Sequence, residues 1–290
     1  MLKLQHNISL SPLTWFRVGG VAKNFVRVSS TEEIASVLQQ FSNFFVIGNT
    51  SNLLISDHEI EHCIIKLGAA FSKIQQISET RFKVGAACLD STLAHTIQEM
   101  GISGMEFLAT IPGTLGGNIS MNAGCFGGEI FDIIESVDVI LPNGKFATLQ
   151  KNEIPHSYRY AQLPKKSIII SATLNGVIST KDAVRQTIND FIKKRLDAQP
   201  SNVRTGGSTF TNPKSEKAMG RSAWQLIQEV GANKFEVGGA KVSEKHSNFL
   251  INAGGATAKD IFTLGEMIRN TVLEKTGVEL EWEVKFLGQF

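Results

Sequence analysis

Apolar residues recur along the chain with two different periods, and together these predict alternating strands and helices. Between residues 31 and 41 they fall three or four positions apart, the spacing of a helix with one buried face. Ser30 and Glu33 have the spacing of a capping box at the start of this helix. The uninterrupted apolar residues 44–47 end at Gly48, which predicts a buried strand.

The same patterns extend over the rest of the chain. They predict further helices at residues 90–100, 182–196, 223–230 and 259–274, and further strands at residues 63–67, 81–85, 135–141, 145–149, 167–174, 248–252 and 278–287. The predicted inward positions of the helix at 182–196 are Val184, Ile188, Phe191 and Ile192. This alternation predicts an α+β protein of two or three subdomains, with a boundary after residues 197–202.

Composition narrows the class of protein further. The 290 residues are 42% hydrophobic and 19% charged with a net charge of +2, which is typical of a globular protein and unlike a strongly basic nucleic-acid-binding surface. Three widely spaced cysteines do not predict a disulfide framework, and no zinc-binding spacing occurs. No signal-peptide apolar core or membrane-length apolar run is present. We therefore expect a cytoplasmic protein without membrane insertion, nucleic-acid partner or metal.

Two glycine-rich stretches have the composition of anion-binding turns. Residues 48–54 (GNTSNLL) directly follow a predicted buried strand, and residues 111–124 read IPGTLGGNISMNAG. Glycine lets main-chain N–H groups approach a phosphate or a flat ring closely, and such groups in a turn form an anion-binding concavity. The alternative is a pair of tight turns without a ligand. Neither the GxGxxG dinucleotide fingerprint nor a P-loop occurs, so a bound nucleotide requires a different fold.

Seven motifs together resemble the UDP-N-acetylenolpyruvoylglucosamine reductase family, in family order and over essentially the whole chain. They are residues 14–20 (TWFRVGG), 48–54 (GNTSNLL), 111–117 (IPGTLGG), 121–124 (MNAG), 157–159 (SYR), 207–213 (GSTFTNP) and 280–284 (LEWEV). The resemblance implies an FAD-binding fold of the vanillyl-alcohol oxidase type in two subdomains, plus a C-terminal α+β substrate domain. The implied ranges are 1–67, to which 280–290 could return, 68–199 and 200–279.

The resemblance also implies an activity. Members of the family reduce the enolpyruvyl ether of UDP-N-acetylglucosamine, a small-molecule substrate, to UDP-N-acetylmuramate for peptidoglycan synthesis, with FAD and NADPH. In the family, nicotinamide and substrate occupy one pocket in turn. The chain has no insertion between its middle strands and so resembles the shorter type II members, which lack the tyrosine-bearing substrate loop. Its oligomeric state is not indicated.

The implied cofactor contacts lie in the two glycine-rich stretches. They are Ile47, Gly48, Asn49, Thr50, Ser51, Asn52, Leu53, Leu54, Ile111, Pro112, Gly113, Thr114, Gly116, Gly117, Asn122, Ala123 and Gly124.

The implied catalytic residues suit the chemistry of the reduction. A hydride added to the enol ether builds negative charge on the conjugated carboxylate, and Arg159 could fork onto that carboxylate. A carboxyl of raised pKa, assigned to Glu283, could donate a hydrogen bond to it. Ser208 is the candidate proton donor to the α carbon. Without the resemblance, a surface arginine, a turn serine and a solvent-facing glutamate are the simpler interpretations.

Two further points concern the neighbourhood of these residues. The lysine usual in the Ser208 motif is replaced by Thr211, so cationic help for the proton transfer is expected from Arg204 or Arg159. On a regular strand Glu281 and Glu283 would share one face, with Trp282 on the other.

Two asparagines are the predicted substrate contacts, and two basic residues have open roles. The asparagines are Asn212 and Asn248. His246 either lines the site or is a hydrogen-bonded structural histidine. Arg17 is either structural or phosphate-facing.

Two rival functions remain open at this point. One is a related flavin oxidase of sugars or alcohols. Such enzymes often bind FAD covalently through a histidine or cysteine, and Cys125 directly follows the second stretch. The other is a catalytically silent flavin- or UDP-sugar-binding module. A flavin absorbance that NADPH bleaches and the enolpyruvyl sugar restores would distinguish the reductase from both.

Overall fold

The computed structural model describes residues 2–290, which form two compact units. Unit 1 contains the residues up to His6, Asn24–Asn49 and His62–Arg195, and unit 2 contains Asn7–Lys23, Thr50–Glu61 and Leu196–Phe290. Helices and strands alternate through both units, which confirms the predicted α+β class. Within residues 2–290, no helix combines the length and the hydropathy needed to cross a bilayer.

The strands, in chain order, are β1 (Leu4–Ser9), β2 (Val21–Val28), β3 (Phe44–Ile47), β4 (Leu53–Ile55), β5 (Ile60–Leu67), β6 (Ile74–Gln76), β7 (Arg81–Gly85), β8 (Ile102–Ser103), β9 (Gly124–Cys125), β10 (Gly128–Glu129), β11 (Ile134–Ile140), β12 (Phe146–Gln150), β13 (His156–Ser157), β14 (Tyr160–Ala161), β15 (Ile168–Asn175), β16 (Val177–Ile178), β17 (Arg204–Ser208), β18 (Glu236–Val237), β19 (Ala240–Val242), β20 (Phe249–Asn252) and β21 (Lys285–Leu287). The α-helices are α1 (Thr31–Gln40), α2 (Asp90–Met100), α3 (Leu115–Met121), α4 (Ile130–Ile133), α5 (Lys181–Ala198), α6 (Ala223–Glu229) and α7 (Ala258–Thr276).

Unit 1 is built around two hydrophobic clusters. The larger one lies between the antiparallel sheet β12-β11-β15-β7-β6 and the helices α2, α3 and α5. The smaller one packs α1 against β2 and β5, in the sheet of order β1-β2-β5-β3. β3 runs parallel to β5, with Ile47 opposite Lys66. The end of β3 therefore brings the first glycine-rich stretch next to the end of β5.

Unit 2 packs α6 and α7 against the antiparallel sheet β17-β20-β19-β18. The parallel pair β4 and β21 joins the segment at residues 50–61 to the C-terminal residues. Trp282 lies against α7, and a Cβ added at Gly265 of that helix would come within 2.0 Å of the Trp282 ring. The indole N–H donates to Glu266 at 2.7 Å. A glycine inside α7 thus provides the space that this tryptophan fills.

Most predicted elements are confirmed within one or two residues, and the differences are local. Ile192 is 38% exposed rather than inward. At α1, Ser30 accepts the Glu33 N–H at 3.3 Å, whereas the Glu33 carboxylate accepts the N–H of Ser29 instead of Ser30. The predicted helix end at residue 41 is one residue too late, because Phe41 is extended.

The strand predicted at residues 278–287 is wrong except for β21. The N–H groups of Glu283 and Val284 both donate to the Thr209 carbonyl, at 2.8 and 3.4 Å. Two consecutive amides on one acceptor break the alternation of a regular ladder. The segment therefore makes one isolated bridge, between Phe210 and Trp282, and the predicted common face of the two glutamates is not formed by a strand.

Asp57 connects the segment at 50–61 to the start of α7. Its two carboxylate oxygens accept the N–H groups of Ala258 and Lys259, each at 2.9 Å. Thr257 and Asp260 satisfy each other in a capping box at the same end. Because the first N–H groups of a helix have no partner within it, Asp57 supplies both hydrogen bonds and a favourable charge there.

We predict that Asp57→Ala lowers the free energy of unfolding by about 1–2 kcal/mol, the usual cost of losing a helix cap. Urea unfolding followed by circular dichroism measures the change. Glu59→Ala removes an exposed carboxylate from the same segment and serves as the control. Equal stability of the two variants would contradict the assigned role of Asp57.

Asp90 is a buried carboxylic acid at the first position of α2. Its side chain is fully buried, and neither carboxylate oxygen has a hydrogen-bond partner of good geometry in the described chain. The Nδ2 of Asn118, the neighbouring amide, is also without one. Burial raises the pKa of Asp90 to about 7, and Asn118 offsets this rise only in part.

We predict that Asp90 makes the fold less stable as the pH rises from about 4 to 7. The folded state retains this proton where the unfolded chain, with its ordinary pKa of 3.8, has released it. The free energy of unfolding therefore falls by at most about 1.4 kcal/mol per pH unit in that window. Asp90→Asn should match the parent at acid pH and exceed its stability at pH 8, as measured by urea unfolding at each pH. Asp197→Asn, on an exposed side chain, is the control; a parallel pH dependence in the parent and Asp90→Asn would contradict the prediction.

Candidate active site

A cavity of about 560 Å³ lies in unit 1, at the two glycine-rich stretches. The first stretch contributes Ile47, Gly48 and Asn49, and the second contributes Thr114, Gly116 and Gly117. Its volume falls within the range of cavities that bind small molecules and cofactors. Of the predicted cofactor residues, these six line this cavity, whereas Thr50–Leu54, Ile111–Gly113 and Asn122–Gly124 do not.

Where the two stretches approach each other, the bare backbone of Gly48 faces the side chain of Thr114. A Cβ added at Gly48 would lie 2.5 Å from Thr114 Oγ1, and one at Gly116 would lie 3.0 Å from the Ala86 Cβ. The first distance is shorter than real Cβ contacts and the second is tighter than most of them, so a side chain at either glycine would force its neighbour to move. An added Cβ at Gly117 would meet no protein atom closer than 3.6 Å and would extend into open space instead. These walls form a cradle that larger residues would fill.

Arg159 lies on a loop that Asn122 holds in place. The fully buried Asn122 side chain donates to the Ser157 carbonyl at 3.0 Å and accepts the Phe131 N–H at 3.2 Å. Arg159 has a left-handed backbone with a φ of 57°, and its Nη2 donates to the Gly124 carbonyl at 2.7 Å. The second glycine-rich stretch therefore orients the arginine directly. In this structure the side chain of Asn122 positions the arginine loop, and cofactor contact by Asn122 stays a prediction.

Ser208 ends β17 of unit 2 at a bulge. The register against β20 shifts between Thr205 and Ser208, and Gly207 between them has a φ of +80°. A bulge with a left-handed glycine redirects the next side chain. A Cβ at Gly206 would come within 2.4 Å of the Phe16 ring, so both glycines are required for different reasons. The half-buried Ser208 hydroxyl has no hydrogen-bond partner within residues 2–290.

Glu283 lies next to the Ser208 motif through backbone hydrogen bonds. Its N–H donates to the carbonyl of Thr209, the residue after Ser208, and the Thr211 N–H donates to the Glu281 carbonyl at 2.9 Å. The second half of the first glycine-rich stretch also contacts this segment, because Asn52 Nδ2 donates to the Glu283 carbonyl at 3.1 Å. Ser208, Glu283 and residues 50–54 thus belong to one region of unit 2.

The two predicted substrate asparagines adjoin the same region and have structural contacts. Asn248 is buried, and its amide pairs with both backbone groups of Phe210, at 3.0 and 2.8 Å. Asn212 is exposed, and its Oδ1 accepts the Ala223 N–H at the start of α6, at 3.1 Å. Asn248 therefore fixes the turn after Ser208, while Asn212 retains its exposed amide nitrogen. Substrate contact by either residue stays a prediction.

The two residues of open role and the cysteine beside the second stretch have identifiable partners. The His246 ring accepts the Asn248 N–H at 3.2 Å and packs edge-on against Phe249, and burial lowers its pKa, as in a structural histidine. The Arg17 guanidinium donates to the Pro12 carbonyl. The Cys125 thiol lies 3.0 Å from Thr110 Oγ1. No cluster of three or more potential metal ligands occurs in the part of the chain that is described.

Sequence reasoning missed two cations of the cavity and one buried acid. Arg27 and Lys66 line the cavity on β2 and β5, and Lys66 Nζ donates to the Gly48 carbonyl at 3.0 Å. Asp90 begins the helix next to the second stretch, and its N–H contacts the Gly113 carbonyl at 3.4 Å. The available signal was positional, because Lys66 interrupts the apolar run of residues 63–67.

Two family models match the chain. Residues 22–150 match an FAD binding domain, and residues 199–287 match the C-terminal domain of UDP-N-acetylenolpyruvoylglucosamine reductase. The first range contains the cavity's cations and most of its glycine-lined wall, and the second contains Ser208 and Glu283. These matches confirm the predicted combination of an FAD-binding fold with a C-terminal domain.

Full-length relatives agree with these matches. A protein of Anaplasma marginale named UDP-N-acetylenolpyruvoylglucosamine reductase is 42% identical over 285 residues, covering 98% of this chain and 93% of its own length. A Rickettsia massiliae protein of the same name is 43% identical over 284 residues, covering 97% and 94%. The crystal structure of UDP-N-acetylenolpyruvylglucosamine reductase from Thermus caldophilus superposes with a TM-score of 0.86 at 30% identity, covering 99% of this chain and 100% of that one. The chain is therefore an FAD-dependent oxidoreductase that belongs to the UDP-N-acetylenolpyruvoylglucosamine reductase family.

Proposed function

We propose that the chain reduces the enolpyruvyl ether of UDP-N-acetylglucosamine to UDP-N-acetylmuramate for peptidoglycan synthesis, with NADPH as the reductant. The observation that carries this proposal is the serine on a glycine bulge beside Glu283, within the region matched by the reductase C-terminal domain. An exposed hydroxyl beside a carboxylic acid is the arrangement that proton donation to a bound substrate requires. The cytoplasmic location expected from the cysteine pattern and the domain ranges 1–67, 68–199 and 200–279 belong to the same proposal.

The cavity of unit 1 suits the phosphate-bearing part of FAD. Its walls are bare backbone at Gly48 and Gly116, and it contains two cations and no carboxylate. When bound, FAD passes a hydride equivalent from NADPH to the substrate. The other proposed cofactor contacts are those implied by the family motifs, at residues 47–54, 111–117 and 122–124.

Charge stabilisation is proposed for Arg159 and Glu283. Adding hydride to the β carbon of the enol ether develops negative charge on the conjugated carboxylate, so groups oriented in advance lower the barrier. Arg159 has its backbone and one guanidinium nitrogen fixed by its own unit, through Gly124. Glu283 has its backbone fixed by Thr209 and Asn52, which limits how far its carboxyl can move.

Ser208 is proposed to donate the proton to the α carbon. The bulge exposes its hydroxyl without a protein partner, so the hydroxyl is free to hydrogen-bond a substrate. A serine hydroxyl is a weak acid, and its proton leaves only when neighbouring groups accept or compensate the charge. Asn248 holds the adjoining turn through Phe210 and thereby preserves the direction of the hydroxyl. Asn212 is proposed to contact the substrate through its exposed amide.

We predict that Ser208→Ala separates the two half-reactions. Flavin bleaching by NADPH should proceed within about two-fold of the parent rate, because the serine has no role in it. Re-oxidation by the enolpyruvyl sugar should slow by about 10²–10⁴-fold, the usual contribution of a positioned proton donor. Stopped-flow absorbance of the flavin measures both steps.

Ser201→Ala removes an exposed hydroxyl just before β17 and should change neither step. A Ser208 variant that slows both half-reactions equally would remove the proton-donor assignment. Bleaching without any substrate-dependent re-oxidation in the parent protein would remove the reductase proposal itself.

A further inference from the structure

Two basic side chains of different strands converge on the cavity of unit 1. Lys66 is the last but one residue of β5 and Arg27 the last but one of β2, in the same sheet. Both line the cavity. Lys66 Nζ donates to the Gly48 carbonyl at 3.0 Å, which directs the ammonium group to the first residue of the glycine-rich stretch. An ammonium group has three donors, so two remain beyond this bond.

These cations have no negative partner within residues 2–290. Neither forms an ion pair there, and no aspartate or glutamate lines the cavity. Elsewhere in unit 1, by contrast, Lys83 pairs with the buried Asp138 at 2.9 Å. Burial and the charge of Arg27 both lower the pKa of Lys66. Two like charges facing one half-enclosed cavity are unfavourable until an anion joins them.

We propose that Lys66 and Arg27 recognise the phosphate groups of FAD and give the chain its selectivity for FAD over uncharged riboflavin. Both residues lie inside the segment matched as an FAD binding domain. The inference rests on that domain and is independent of the reductase activity. Lys66 also holds the turn at Gly48 through its hydrogen bond to the Gly48 carbonyl. The same side chain therefore supports the backbone wall of the cavity and supplies positive charge to it.

Lys66 is expected to contribute more than Arg27. Lys66 is half-buried, whereas Arg27 is exposed, and water and salt screen an exposed charge more strongly. A hydrogen bond between charged groups in a partly desolvated site typically increases binding affinity by about ten-fold or more. An exposed pair corresponds to a few-fold at most.

The experiment uses apoprotein prepared by removing the flavin, titrated separately with FAD and with riboflavin by flavin fluorescence. Lys66→Met should weaken FAD binding about ten-fold or more and Arg27→Met about three-fold, with riboflavin binding unchanged in both. Lys66→Arg should keep most of the selectivity, because the charge remains. The salt dependence of FAD binding should decrease in both methionine variants.

Lys145→Met removes an exposed lysine from the hairpin turn of the same unit and serves as the matched control. Circular dichroism confirms that each variant is folded. Equal loss of FAD and riboflavin affinity, or no loss of either, would overturn the proposal, since neither outcome depends on phosphate. Arg27→Met makes this test decisive even if Lys66→Met disturbs the turn at Gly48.

A second arm identifies which diphosphate the cations recognise, because a UDP-sugar carries one as well. ADP and UDP are tested as competitors of FAD in the parent and in Lys66→Met. Competition by ADP that the variant loses supports recognition of the cofactor. Competition by UDP but not by ADP, lost in the variant, would instead assign the cations to the substrate and overturn the proposal. A failed reductase assay affects neither arm.

Discussion

The fold depends on backbone that comes closer than a Cβ would allow. In unit 1 the two glycine-rich stretches meet where the bare backbone of Gly48 faces the Thr114 hydroxyl, and a side chain at Gly48 would displace that hydroxyl. In unit 2, Gly206 lies against the Phe16 ring directly before the bulge that carries Ser208. Each of the two functional regions is thus built at a point of bare-backbone contact. A larger residue there would displace the neighbouring wall, and the geometry of the site would change with it.

Polar groups without a protein partner differ in whether a ligand can reach them, and the difference is informative. Asp90 is fully buried at the start of α2, where its carboxylate is neutralised by taking up a proton. Lys66 and Arg27 face an open cavity, where a ligand can neutralise them. The Ser208 hydroxyl is half-buried and similarly available. A polar group that a ligand can reach is a candidate for ligand recognition. A polar group that only a proton can reach instead affects the stability of the fold.

The sequence predicted the elements well where one period dominates. The helices α2, α6 and α7 have continuous apolar faces and are followed within two residues by a glycine, so local information was sufficient. Residues 278–284 alternate in the same way as a strand, yet the Thr209 carbonyl, 74 residues away from Glu283, takes two of their amides. The spacing of apolar residues does not predict such long-range hydrogen bonds. For the same reason the sequence did not predict that Lys66 and Arg27 line the cavity, because a basic residue near a strand end is usually solvated.

Thr211 replaces the lysine that is usual in the Ser208 motif, which limits the groups that could assist proton transfer from Ser208. The Thr211 N–H is bound to the Glu281 carbonyl, so the position contributes to holding the glutamate segment. Arg204 lies at the opposite end of the five-residue strand β17 from Ser208, and its side chain is exposed. No hydrogen bond links Arg204 to Ser208 within the described chain. At about 3.3 Å per residue, the ends of such a strand are about 13 Å apart, which argues against direct cationic help from Arg204. Glu283 is the glutamate whose N–H donates to the carbonyl of Thr209, the residue directly after Ser208. We therefore propose that, within unit 2, assistance to Ser208 comes from Glu283 rather than from Arg204.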